Sequence, residues 1–84
     1  MTERLQVSFT PGEGALVRML GLVERRGFAL RGVTMSEASA GASLDLEVVP
    51  RDPSRNIDVV ARQLERLVDV RSVAIATLPR GRST

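Results

Sequence analysis

Apolar and polar residues alternate from the start of the chain. Leu5, Val7 and Phe9 are separated by Gln6 and Ser8, a period of two that predicts a half-buried strand. Thr10-Pro11-Gly12-Glu13-Gly14 interrupts it. Thr10 with Glu13 three positions on, and Pro11 between them, has the form of a capping box with proline at the first helical position. The helix begins at Pro11 on that reading, or after Gly14 if the glycines hold an open loop. Leu16, Met19, Leu20 and Val23 then recur at i, i+3, i+4 and i+7, one face of a helix. Arg25 and Arg26 followed by Gly27 suit a helix end, with cations by the last carbonyls and then a residue at ease in the left-handed region.

Phe28 and Leu30 are two apart, and so are Val33 and Met35, but the step between the pairs is three. A bulge near Arg31-Gly32 brings both pairs to one face of a second strand. Residues 37–43, Glu-Ala-Ser-Ala-Gly-Ala-Ser, are small and polar and predict a turn. Leu44, Leu46 and Val48 alternate with Asp45 and Glu47 as a third strand, which Pro50 and Pro53 end. A second helix starts between Asp52 and Asn56, where several caps compete. Its apolar stripe is Ile57, Val60, Ala61, Leu64 and Leu67. Val73 and Ile75 form a fourth strand with Ala74 and Ala76 on its other side, and the small size of those alanines suggests that the open sheet face is covered by something. The order β-α-β-β-α-β, with right-handed crossovers, predicts an α+β, ferredoxin-like fold: a four-stranded antiparallel sheet with two helices on one face. The domain is expected to span residues 1–78, with 79–84 as a flexible polar tail.

Composition narrows the function. The chain has 84 residues, enough for one domain and a modest core, so a partner or self-association is expected to contribute to stability. Without His, Cys, Lys or Tyr, general acid–base work falls to carboxylates alone, and no metal site is expected. Asp45 and Glu47 share a strand face, where alternating charges are ordinarily solvated. All 12 basic residues are Arg. The pI of 11.0 reflects arginine's high pKa, because the net charge is only +2. A nucleic-acid partner is not expected: βαββαβ sheets read RNA through exposed aromatics, and the only two here, Phe9 and Phe28, fit the core period. No apolar run approaches the roughly 20 residues of a membrane helix. The N-terminus is too polar for a signal peptide, so no membrane association and a cytoplasmic location are expected.

Three runs carry a family resemblance: Gly14-Ala15-Leu16-Val17-Arg18-Met19, Arg25-Arg26-Gly27-Phe28-Ala29-Leu30 leading to Val33-Thr34-Met35, and Gln63 to Val73. Together they resemble the ACT domain of the small regulatory subunits of acetolactate (acetohydroxyacid) synthase. Most members carry a second domain, and at this length the chain is most similar to the single-domain, isozyme II type. The resemblance implies a non-catalytic activating subunit in branched-chain amino acid biosynthesis. Its partner is then a catalytic large subunit that uses thiamine diphosphate, Mg²⁺ and FAD, none of them bound by this chain. A stand-alone ACT-type amino-acid sensor is the alternative.

ACT domains commonly pair side by side through the second strand. That habit implies a homodimer in which Arg31, Gly32, Val33 and Thr34 lie at the interface. The implied effector site for a branched-chain amino acid comprises Gly12, Glu13, Gly14, Ala15 and Leu16 from one copy, and Ala29 and Leu30 from its mate. In valine-sensitive members an Asn precedes the glycine and another follows Gly-Phe. Here those positions are Pro11 and Ala29. Backbone N–H groups at a helix start suit a carboxylate, but Pro11 lacks even that donor. Valine feedback is therefore expected to be weak or absent. Glu13 reads more readily as the capping-box residue than as a ligand contact, and Gly21 as a point of close packing, such as between helices across a dimer.

Overall fold

The structure, a computed structural model, describes residues 2–77. The expected tail, 79–84, and residues 1 and 78 of the expected domain lie outside the described residues. The elements are β1 (Glu3–Phe9), α1 (Ala15–Arg25), β2 (Phe28–Ala38), β3 (Gly41–Pro50), α2 (Ile57–Glu65) and β4 (Val70–Thr77). The strands lie in the order β2-β3-β1-β4, each neighbouring pair antiparallel, which is the architecture the periodicity predicts.

One face of the sheet carries the core. Leu5, Val7 and Phe9 of β1 and Leu44, Leu46 and Val48 of β3 are fully buried against Met19 and Val23 of α1 and Val60 and Leu64 of α2. Each such side chain contributes roughly 1.5–3 kcal/mol through removal from water. Phe28 joins them, and the chain reaches it by a sharp stop. Gly27 adopts φ +92°, and its N–H donates to the Glu24 carbonyl at 3.1 Å.

The bulge falls where the broken spacing places it. Leu30 pairs with Val48 and Gly32 with Glu47, leaving Arg31 without an opposite residue. Val33 and Met35 thereby face the same side as Phe28. β2 is an edge strand, and Val33 remains 45% and Met35 39% exposed.

Three expectations are corrected. The hairpin turn is only Ser39-Ala40, because the β2–β3 ladder continues through Ser36↔Ser43 and Ala38↔Gly41. Backbone pairing needs no apolar alternation to persist. Leu67 lies beyond the end of α2 at Glu65 and packs on the core from the following turn. Asp45 and Glu47 are not simply solvated. Register places them with Arg4 on the outer face, where Arg4 Nη2 donates to Glu47 and Arg4 Nε lies 3.7 Å from Asp45 Oδ1. That hydrogen bond and the two carboxylate charges hold the Arg4 pKa above its usual value. At α2 the competition among caps is settled by Asn56, whose side chain accepts from the Asp58 N–H at 2.8 Å.

Candidate functional site

The loop before α1 is built by glycine rather than by a capping side chain. Ala15 N–H donates to the Gly12 carbonyl at 3.1 Å, closing a turn, and Gly14 caps the helix at φ +80°. Thr10 and Glu13 therefore form no capping box, and Pro11 lies in the loop instead of the first helical turn. The left-handed Gly14 reverses the chain too late for either residue to reach the helix's first N–H groups. Those groups are left without a side-chain acceptor, the arrangement that favours an incoming anion.

A second contact pins the loop at both ends. Thr10 N–H donates to the Asp69 carbonyl at 2.8 Å. Arg18, one turn into α1, pairs with the Asp69 carboxylate. The Arg18 guanidinium also lies over Gly14: a Cβ there would stand 2.9 Å from Nη1. Sequence reasoning missed this tether because its partners are 51 residues apart and neither belongs to a motif. The Arg4 cluster, in contrast, follows from alternation once β1 is paired with β3.

Gly12, Glu13 and Gly14 are exposed, Ala15 is buried and Leu16 half-buried. Ala29 and Leu30 open β2, at the other end of α1. Eleven helical residues at 1.5 Å each separate the two groups by about 16 Å. Ala29, opposite Val49, faces away from the helices, whereas Leu30, opposite Val48, packs on the core. A single chain thus does not bring the seven candidate residues together. Arg31, Val33 and Thr34 are exposed along β2 and Gly32 is half-buried beside Glu47.

Two surface hollows lie elsewhere, on the outer face of the sheet. One of about 360 Å³ is lined by Gln6, Ser8, Thr34, Ser36, Ser43 and Asp45. Its floor is unusually small and polar, since register aligns Ser36, Ser43, Ser8 and Ser72 in one row across all four strands. Among the described residues no group of three or more His, Cys, Asp or Glu is placed to hold a metal ion. No helix among them is long and apolar enough to cross a membrane.

Residues 11–73 match the model of the ACT domain family. The acetolactate synthase isozyme 2 small subunit of Escherichia coli (strain K12) is 35% identical over 75 residues, 89% of this chain and 85% of that one. A probable acetolactate synthase small subunit of Methanothermobacter thermautotrophicus is 32% identical over 57 residues, 68% of this chain and 34% of the relative. Among solved structures, the ACT domain from GTP pyrophosphokinase of Chlorobium tepidum superposes with a TM-score of 0.73 over 90% of this chain and 97% of that chain. At 12% identity that likeness speaks for the fold alone.

Proposed function

The chain belongs to the ACT domain family, as a relative of acetolactate synthase small subunits, and from that premise we propose that it is a non-catalytic regulatory subunit that activates an acetolactate synthase. The observation that carries this reading is identity spread along 89% of the chain rather than confined to one motif. The partner is a catalytic large subunit, and it is that subunit which holds thiamine diphosphate, Mg²⁺ and FAD. The setting is cytoplasmic branched-chain amino acid biosynthesis.

Two chains pair through β2, the edge strand whose inner face is left partly open at Val33 and Met35. Side-by-side pairing carries the loop of one copy toward β2 of its mate. It thereby unites the two groups of candidate residues that one chain holds about 16 Å apart. The united site is poor for valine. Its helix start offers N–H groups, but Pro11 and Ala29 supply no amide for the ligand's ammonium group.

Two measurements test the proposal. Acetolactate formation by the catalytic subunit is expected to rise when this chain is added; an unchanged rate rejects the regulatory role. Calorimetry with valine, leucine and isoleucine is expected to show no micromolar binding of valine, and such binding rejects the weak-feedback reading.

A further inference from the structure

Arg71 is a residue that β4 has in excess. Ser72 pairs with Ser8 and Val70 with Phe9, so Arg71 faces no partner on β1. A bulge of this kind re-aims a side chain. Here it sends the guanidinium past β1 to the start of β3, about 10 Å at two strand spacings. There Nη1 donates to the Ala40 carbonyl at 2.8 Å. Gly41 leaves the room for it: a Cβ at that position would stand 3.2 Å from Nη1 and 3.3 Å from the Phe9 carbonyl oxygen.

The guanidinium is held but not neutralised. Among the described residues the ion pairs fall to Arg4, Arg18 and Arg55, and none to Arg71. One bond to a carbonyl leaves it donors to spare. It borders a hollow of about 300 Å³ on the outer face of the sheet, together with Ser8, Ser36 and Ser43. Register sets those three serines side by side. Ser36 and Ser43 Oγ lie 3.0 Å apart and share one hydrogen bond, so one of their two protons, and that of Ser8, are left to donate. Glu37 is the one acid in the lining. It stands opposite the core residue Ala42 and so leaves β2 from the other face. The same serines line the second hollow, which continues toward Thr34 and Asp45.

We propose that this hollow binds a small organic monocarboxylate with a hydroxylated body. The carboxylate accepts from Arg71, whose planar fork matches two carboxylate oxygens. The body lies along the serines, which both donate to hydroxyls and accept from them. At about 300 Å³ the hollow is at the lower end of ligand pockets, which restricts the ligand to a few carbons. The charge of Glu37 at the rim disfavours a dianion such as phosphate. The site shares no residue with the effector candidates around Gly14 and Ala29, and it does not depend on the regulatory-subunit reading.

The test follows the backbone amides of the full chain by two-dimensional NMR during titration with glycerate, propionate and inorganic phosphate. Glycerate is expected to shift the amides of Ser8, Ser36, Gly41 and Ser43 saturably, with a Kd on the order of 1 mM. Propionate, which has no hydroxyl, is expected to bind about tenfold more weakly. Arg71→Gln is expected to abolish the shifts, but it also frees the hairpin from its strap. Ser8→Ala separates the two roles: it keeps the Arg71–Ala40 bond and the melting temperature, yet weakens glycerate about fivefold. If Arg71 is only a strap, no probe gives a saturable shift at these amides, and the proposal is overturned. Phosphate binding as tightly as glycerate overturns the monocarboxylate assignment. Propionate binding as tightly as glycerate, or a Ser8→Ala chain that binds as the wild type does, overturns the part given to the serines.

Discussion

Gly21 lies mid-helix in α1, where the absence of a side chain costs the helix about 1 kcal/mol relative to alanine. Close packing of a second helix is the compensation its sequence position suggests. The structure places something else beside it: a Cβ would meet Arg25 Nη1 at 3.2 Å. That atom is the tip of a long, flexible side chain and moves aside at little cost. Gly21→Ala is therefore expected to stabilise the protein by about 0.5–1 kcal/mol in chemical denaturation. A destabilised variant would mean that a partner helix does pack on this position. Gly14, at the N-cap of the same helix, shows the opposite case. Its φ of +80° opposes a side chain, and so does the Arg18 guanidinium, which lies 2.9 Å from where a Cβ would stand. Gly14→Ala is expected to cost about 1–2 kcal/mol in the same assay, from the left-handed backbone alone.

At the scale of elements, the β2 edge carries the consequence most open to test. Beyond the bulge its inner face is only partly covered, with Val33 45% and Met35 39% exposed. In the proposed dimer that face is where a charge is least tolerated. Met35→Glu is expected to convert a dimer to a monomer in sedimentation equilibrium while the far-UV spectrum is unchanged. A wild-type chain that is monomeric at every concentration removes the premise. The bulge itself was legible in the sequence, because the three-residue step between Leu30 and Val33 has no other way to keep both apolar pairs on the core side. So were the four strands and the glycine stop at Gly27. The start of α1 was legible only as two alternatives, at Pro11 or after Gly14; the structure takes the second, and holds the loop from Asp69, far along the chain. The candidate site divides the same way. Its loop residues were legible as a glycine-built turn, but the Arg18 tether and the distance to Ala29 are properties of packing. Neither leaves a trace in local periodicity.

For the whole molecule, the unusual choice of ionisable groups sets the response to pH. With 12 Arg, 10 Asp and Glu, and no His, Cys, Lys or Tyr, no side chain has an ordinary pKa between the carboxylates and arginine. Net charge from side chains is therefore constant across the neutral range. At the acid end, the Ser54 hydroxyl and N–H, and then Arg55, hold the Asp52 carboxyl below its ordinary value. A carboxyl whose folded pKa lies below its unfolded pKa adds stability above the unfolded value, and that contribution is lost as pH falls through the folded value. The Asp52 contribution is thus complete at neutral pH and disappears only in acid, below about pH 4. Because Asp52 is solvated, its effect is small and screened by salt. The melting temperature is expected to be flat from about pH 5.5 to 9, apart from titration of the α-amino group, and to fall below about pH 4. A stability inflection near pH 6.5 would contradict this account. With the α-amino group set aside, no group of this chain has an ordinary pKa in the neutral range, so the pH dependence of the activated complex there belongs to the catalytic subunit. Measured with and without this chain, the pH–rate profile is expected to keep its shape and change only in height.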